Sequence, residues 1–467
     1  MGTHPPSDRS RKGLLFLGDL LGIAVAYSIA YSLRLGHFDA TTLFSGLVLS
    51  FATVNLFCLY LLDLYSLDPQ TPLWKKPLQT LGAVFISGCV IVLLAYSSGA
   101  VEFSGIIGRG VLIGAQVVFA FWAATHRFWL SKWLRKWSKR SRWLVVGTND
   151  NLGPFIKDLS NSQLAGLFSC LTPDGQPLII DEKAKGPPGL SFEHKGFWRD
   201  LLRLANEPWS GIIVCAGNNL PEDLVEIMME IRLRGVRVID LADFYEQTWF
   251  KVPVFYLQRS WFAMAQGFQL LHNPIGLRFK RIFDVAGALL LLILSSPLLL
   301  IAAILVKLES PGPLIFKQTR VGENGKLFTV YKIRSMRADA EKDGAQWAKV
   351  GDSRVTRIGA FIRATRIDEL PQLFNVLRGE MSFIGPRPER PEFTGTLEQE
   401  IPFYNLRHIL RPGVTGWAQV MYPYGANVED AQQKLQFELY YIKNYSLLLD
   451  AAIVLKTIRV VLFGKGR

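Results

Sequence analysis

Charged residues are scarce in this 467-residue chain, 19% of it against 49% hydrophobic residues, and mean hydropathy is +0.21. That scarcity excludes a mainly disordered chain and points to membrane segments. Cysteine is scarcer still. Cys58, Cys89, Cys170 and Cys215 stand far apart with no C-x-x-C pair, which excludes a disulfide framework and a zinc knuckle and leaves four small apolar residues to bury. Acidic residues fall short of basic ones, 39 against 52, for a net charge of +13. Such a balance suits anionic lipid, nucleic acid or phosphorylated substrates. The cations cluster at membrane flanks and phosphate-like motifs rather than along a stripe with interleaved aromatics, so nucleic acid is not expected as a partner. The length exceeds one ordinary core and calls for two or three domains.

What the first third does have is apolar sequence in long runs. Residues 13–33, 42–65, 78–98 and 106–130 each approach the roughly 20 residues that cross a bilayer core. The first run carries Asp19 and lacks a small-residue cleavage site, so it reads as a permanent helix rather than a signal peptide. Cations gather before the first run (Arg9, Arg11, Lys12), between the second and third (Lys75, Lys76) and after the fourth (Lys132, Arg135, Lys136, Lys139, Arg140, Arg142). The connections with Arg34 and Glu102 are poorer in them. A four-helix transmembrane bundle over residues 1–135 with both ends in the cytoplasm is the expectation.

From Ser141 the pattern changes to short apolar runs at residues 143–147, 178–180, 211–216 and 236–240. A helical pattern over residues 221–234 buries Leu224, Ile227, Met228 and Ile231 and makes a βαβ layout. A Rossmann-like α/β middle domain over residues 141–250 follows. Its first turn, Gly-Thr-Asn-Asp-Asn-Leu-Gly153, lacks the G-x-G-x-x-G spacing that brings backbone amides to a pyrophosphate, so a spacer or regulatory module is favoured over a cofactor site. Residues 173–188 read as a surface loop and residues 251–277 as a linker.

A fifth apolar run fills residues 282–306, with Arg278, Lys280 and Arg281 before it and Lys307 after it. Cations on both flanks put both ends on the cytoplasmic side. Ser295, Ser296 and Pro297 sit mid-run. Proline costs an ordinary helix about 3 kcal/mol by removing a donor and clashing with the preceding turn, while neighbouring serine hydroxyls can satisfy the freed carbonyls. A re-entrant hairpin within residues 282–308, broken at Ser296-Pro297, is expected, with a kinked full crossing as the alternative.

The last third is polar and dense in distinctive strings: Tyr331-Lys-Ile-Arg-Ser-Met336, Thr365-Arg-Ile-Asp-Glu-Leu-Pro-Gln-Leu-Phe-Asn-Val-Leu377, Gly385-Pro-Arg-Pro388 and Arg411-Pro-Gly-Val-Thr-Gly-Trp-Ala-Gln-Val420. In the second, Asp368 suits a helix N-cap, Pro371 its first turn, and Leu370, Leu373, Phe374 and Leu377 one face. Two adjacent carboxylates also suit another task, in which Asp368 or Glu369 attacks phosphorus while the other holds a divalent cation. Anion attacking anion needs positive charge, which Lys332, Arg334, Arg363, Arg366, Arg387 and Arg390 offer. Pro386-Arg387-Pro388 fixes one cation on a stiff turn. Thr415 and Gln419 either line the pocket or shape a turn. Residues 437–462 carry an apolar face for the headgroup region or for the core.

On these strings, residues 278–466 closely resemble the catalytic domain of the bacterial polyprenyl-phosphate sugar-1-phosphate transferases, the monotopic phosphoglycosyl transferases. The helices and middle domain ahead match the family's long members. The resemblance implies a membrane protein with an α/β, mostly helical catalytic domain over residues 278–467, in the bacterial inner membrane, its middle and catalytic domains facing the cytoplasm. It implies that Asp368 attacks the β-phosphate of a UDP-sugar, releases UMP and carries the phosphosugar until undecaprenyl phosphate accepts it. Glu369 would bind Mg²⁺, Arg363 and Arg387 match family arginines, and Pro386 to Pro388 would contact the uridine end. Where many members continue Asn-Gly-Arg-Asn after the Gln-Val pair, this chain has Met-Tyr-Pro-Tyr-Gly-Ala-Asn427. That loop, with Tyr422 and Tyr424, resembles the exopolysaccharide-associated subgroup. The resemblance leaves a homodimer open. The rival is a non-catalytic, nucleotide-sensing or scaffold protein of the same pathway.

Overall fold

The computed structural model describes residues 8–36, 43, 46–67, 71–97, 109–138, 141–162, 164–178, 189–217, 220–268, 273–337, 340, 352–422 and 427–463. The chain folds as two compact units, Met1–Phe244 and Tyr245–Arg467.

The first unit opens with helices Asp8–Leu35, Gly46–Leu61, Lys75–Ser97 and Arg109–Ser138. The first, third and fourth are long and apolar enough to cross a membrane. The second has 16 residues, shorter than its apolar run, because the chain turns at Asp63 in the left-handed region. Ile23, Tyr27, Phe51, Leu59, Ala115 and Phe119 form a shared core. Two sets of buried polar groups among these helices are paired. Arg127 Nη1 and Nη2 donate to Asp19 Oδ1 and Oδ2 at 2.7 and 2.8 Å, with neither side chain exposed. Ser87 Oγ donates to Asn55 Oδ1 at 2.7 Å and Gln116 Nε2 to the same oxygen at 3.1 Å.

Next comes a parallel sheet of β1 (Arg142–Gly147), β2 (Gly166–Thr172), β3 (Leu190–Phe197), β4 (Gly211–Cys215) and β5 (Val238–Asp240), ordered β3-β2-β1-β4-β5. Strands β1 and β4 are buried apolar runs, the pattern of a parallel sheet covered by crossover helices. Helices Asn149–Ser160 and Glu222–Leu233 supply that cover. The sequence pattern missed β2 and β3. Ser169 interrupts the apolar run of β2, yet it is buried with its hydroxyl on Glu193 Oε1 at 2.6 Å, and β3 is a half-exposed edge. Leu178 is outside any strand, and the rest of the run expected at 178–180 lies outside the described residues, as does most of the loop expected at 173–188.

The second unit is organised by one long helix, Pro274–Glu309. The side chain of Asn273 caps it, and Pro274 occupies a first-turn position where no donor is needed. The helical bonding runs through Pro297 without a break. Ser296 Oγ donates at 2.8 Å to the carbonyl of Ile293, the one that Pro297 leaves without an N–H. Both halves pack on this unit. In the first, Ala288 joins Leu373, Val376 and Met381, and Asp284 accepts from Ser382 Oγ at 2.8 Å. In the second, Ala302 and Val306 join Ile333, Ile362 and Ile367. Between them Leu290, Ile293, Leu294 and Leu300 are exposed.

The remainder builds a small α/β unit on that helix. Strands β6 (Ile315–Val321) and β7 (Leu327–Ile333) form an antiparallel hairpin, while β8 (Ser382–Ile384) and β9 (Gly413–Thr415) pair in parallel. The apolar face expected over residues 437–462 belongs to two helices, Val428–Lys443 and Leu447–Leu462, because Ser446 caps a new start. Residues 435–442 are core, whereas the closing helix buries Asp450 and Ile453 and exposes Leu448 and Leu462.

The Asp19–Arg127 pair generates a prediction. Arg127→Leu alone should destabilise by about 3–5 kcal/mol by stranding a buried carboxylate, and adding Asp19→Leu should recover most of that loss. Thermal unfolding in detergent measures both; an equal loss in the single and double variants contradicts the pairing.

Candidate active site

The site begins where the helix Arg357–Ala364 ends. Thr356 caps this helix through Gly359 N at 2.9 Å, and a Cβ on Gly359 would stand 2.0 Å from the Ser335 carbonyl. Only glycine lets the helix meet the strand end that closely. Arg366 then adopts φ 60°, and the chain enters a tight turn, Ile367–Gln372, followed by the helix Leu373–Arg378. Asp368 is therefore not the N-cap read from the pattern. The residue before the turn is Arg366, and Asp368 and Glu369 lie inside the first turn, both buried. Asn375 ties this segment to β7, donating to the Thr329 carbonyl at 2.7 Å.

Glu369 is the hub. Arg387 Nη2 donates to its Oε1 at 2.6 Å, Lys332 Nζ reaches the same oxygen at 3.1 Å, and Arg366 Nη1 stands 3.4 Å from Oε2. Burial alone would raise the Glu369 carboxyl, but Arg387, Lys332 and Arg366 outweigh it and hold it well below the usual range. Asp368 goes the other way. Burial first, then the neighbouring Glu369 charge, push it up to about 6 against the pull of Lys332, Arg366 and Arg363. Two adjacent carboxyls are thus driven apart, one firmly ionised and one poised near neutrality. Asp368 Oδ1 is buried without a hydrogen-bond partner.

Arg387 arrives on a buttressed turn. A Cβ on Gly385 would lie 2.4 Å from the Arg411 carbonyl, and one on Gly413 2.1 Å from Gly385 N, so the two loops cross at backbone contact. Gly385 N donates to the Thr415 carbonyl at 2.9 Å and Gly413 N to the Pro386 carbonyl at 2.8 Å. Behind the turn, Arg407 makes a two-pronged pair with Glu438, 2.8 Å on each prong, and donates through Nη2 to the Arg387 carbonyl at 2.8 Å. Arg320 Nη1 donates to the Pro388 carbonyl at 3.2 Å. Pro386, Arg387, Trp417, Gln419, Glu438 and Tyr441 line a tight crevice beside this turn, too narrow to hold a water.

The residues singled out by sequence divide accordingly. Asp368, Glu369, Lys332, Arg366 and Arg387 form one cluster, with Arg363 near enough to lower Asp368. Arg334 lies outside it: its guanidinium donates to the carbonyls of Ser310 and Pro311 at 2.6 and 2.7 Å, closing the end of the long helix. Thr415 Oγ1 pairs with Thr457 Oγ1 at 2.7 Å. Gln419 borders the crevice, its Nε2 on the Val414 carbonyl at 3.3 Å and its Oε1 buried without a partner. Arg390 faces Glu392 at 3.5 Å. Tyr422 OH donates to Asp430 Oδ1 at 2.8 Å, and Tyr424 lies outside the described residues. Arg407, Glu438 and Arg320 were missed, since the sequence offers only isolated charges and their pairing spans tens of residues.

An α/β unit with a buried cluster of carboxylates and cations, built on a helix long and apolar enough to cross a membrane, is the class this geometry defines. Residues 275–464 match the model of the bacterial sugar transferase family. A UDP-N-acetylgalactosamine-undecaprenyl-phosphate N-acetylgalactosaminephosphotransferase of Aeromonas hydrophila is 54% identical over 197 residues, 42% of this chain and 47% of that protein. The chain thus spans about half the length of that relative. A UDP-glucose:undecaprenyl-phosphate glucose-1-phosphate transferase of Caulobacter vibrioides is 46% identical over 181 residues, 38% of this chain and 68% of its own. An exopolysaccharide production protein of Rhizobium leguminosarum is 44% identical over 194 residues, 40% of this chain and 97% of its own. The chain belongs to the bacterial sugar transferase family, as the strings of its last third implied.

The raised Asp368 carboxyl has a stability consequence. The folded protein holds a proton there that the unfolded chain has released, so stability falls as pH rises from about 4 through about 6. Asp368→Asn should therefore stabilise by about 3 kcal/mol at pH 8 and by little at pH 4. Unfolding midpoints at the two pH values test this, and equal gains at both contradict it.

Proposed function

We propose that this protein transfers sugar 1-phosphate from a UDP-sugar to undecaprenyl phosphate, giving undecaprenyl diphosphate sugar and UMP, as an initiating step of exopolysaccharide or capsule synthesis. The observation that carries this reading is the unpartnered Oδ1 of buried Asp368 beside a carboxylate ringed by three cations. A nucleophilic carboxylate needs a free oxygen, and its anionic target needs cations within reach. Asp368 attacks the β-phosphorus, the bond from that phosphorus to the bridging oxygen breaks, and UMP leaves with the electron pair. An oxygen of undecaprenyl phosphate then attacks the same phosphorus, and the aspartyl ester bond breaks to restore the carboxylate. Arg387 and Lys332 exchange their hold on Glu369 for the diphosphate oxygens as the donor enters. Pro386 and Arg387 contact the uridine end.

The donor set fits Mg²⁺ carried in by the diphosphate. Glu369 becomes available once Arg387 and Lys332 pass to the diphosphate oxygens, and among the described residues no group of three or more acidic, His or Cys side chains stands ready to hold the ion without the substrate. Magnesium is commonly held by one or two carboxylates together with substrate phosphates. Glu369 would hold it; when bound, it neutralises phosphate oxygens.

The same reading sets the membrane arrangement. The four N-terminal helices anchor the chain in the bacterial inner membrane, and the middle domain spaces the catalytic unit on the cytoplasmic side. The long helix dips into one leaflet and bends back at Ser296-Pro297 through a kink within continuous helical bonding, in place of the break expected from the sequence. Its support is that both halves pack on one small unit while Leu290, Ile293, Leu294 and Leu300 stay exposed between them. A cytosolic donor and a lipid-borne phosphate then meet at the headgroup level.

Purified protein with Mg²⁺ and undecaprenyl phosphate should release UMP from one of a panel including UDP-N-acetylgalactosamine and UDP-glucose. Without acceptor it should release one equivalent and retain labelled phosphosugar. Asp368→Asn should lower turnover about a thousandfold or more, and Arg387→Ala about a hundredfold. UMP formed only with acceptor, from protein that never carries label, excludes the covalent route; folded protein silent across the panel excludes the transferase.

A further inference from the structure

Residues 245–257 lie ahead of the region matched by the family, yet they are built into the second unit. Tyr245, Val252 and Val254 are fully buried there. Val252 N donates to the Gln436 carbonyl at 3.0 Å, Lys251 Nζ to Gln433 Oε1 at 3.0 Å, and Glu246 accepts from Lys443 and from Asn444 Nδ2. All four contacts fall on the helix Val428–Lys443 or its cap, and that helix carries Glu438, the partner of Arg407.

The centre of this strap is Phe250, at φ 55° just past the helix Leu241–Trp249. Glycine is the usual residue for a left-handed position after a helix, since a Cβ is strained there. Phenylalanine occupies it here because its ring fits edge-on between Trp417, centroids 6.4 Å apart, and Tyr440, 5.9 Å apart. The turned backbone aims the Phe250 carbonyl at Trp417, whose Nε1 donates to it at 2.9 Å. Trp417 and Arg387 face the same tight crevice.

We propose that residues 245–257 are a positioning strap for the Arg387 turn, in which Phe250 fixes the Trp417 ring beside that turn and thereby the place where Arg387 meets the nucleoside diphosphate. The inference rests on the proposed donor for its ligand, and Phe250 itself touches no substrate. In the full chain, Phe250→Gly keeps the backbone turn and removes the ring, Trp417→Phe removes the N–H, and Phe250→Tyr keeps the packing. Phe250→Gly should raise the donor KM and the Kd for UDP about fivefold with kcat within twofold, and Phe250→Tyr should stay near the original values. In Phe250→Gly/Trp417→Phe the two effects should fall short of their sum, as for residues in contact. Unchanged KM and Kd in Phe250→Gly, or effects that add in the double variant, overturn the strap. Absence of UMP release from the unaltered chain overturns the proposed reaction instead, and the UDP affinities then still decide the strap.

Discussion

A carboxylate buried under three cations is the constraint around which the second unit is arranged. Glu369 is tolerable inside the protein only because Arg387, Lys332 and Arg366 reach it together; a buried charge with one partner removed becomes a large penalty. Those partners come from a strand, a left-handed turn and a proline-locked loop, so their convergence fixes three elements against one another. Burial, and then the same charge, raises Asp368, one residue away, so that adjacent carboxyls shift in opposite directions. Geometry made for burying an ion pair is thereby also geometry for receiving an anion, because cations gathered around a carboxylate can be transferred to phosphate oxygens.

Support for this cluster is layered. Arg387 is held at its side chain by Glu369 and at its carbonyl by Arg407, itself locked to Glu438. Close backbone crossing at Gly385 and Gly413 leaves the loop little freedom. The long helix Pro274–Glu309 serves two environments at once. One face supplies core through Ala288 and Ala302, and the other stays apolar and exposed, which water would not favour and a lipid phase would. Ser296 lets that helix carry Pro297 without an orphaned carbonyl.

Much of this was legible beforehand for identifiable reasons. Apolar runs near membrane length, the parallel-sheet strands β1 and β4 and the Asp-Glu pair are local signals, each contained within one stretch of chain. The failures were also local signals, overruled from outside. Asp368 has the composition of an N-cap, but the left-handed Arg366 moved the turn's start and left the carboxyl inside it. Strand β2 escaped because Ser169 reads as polar until its partner Glu193, on the neighbouring strand, is known.

The sequence by itself determined the family, the apolar helices and the identity of the paired carboxylates, since each is carried by residues adjacent in the chain or spaced at a helical period. Only the tertiary structure decided which cations meet Glu369, that Arg407 and Glu438 brace the Arg387 turn, and that residues 245–257 belong to the second unit. The physical reason is that such pairings join groups up to 198 residues apart, as Glu246 and Asn444 are, and depend on distances that no local propensity encodes.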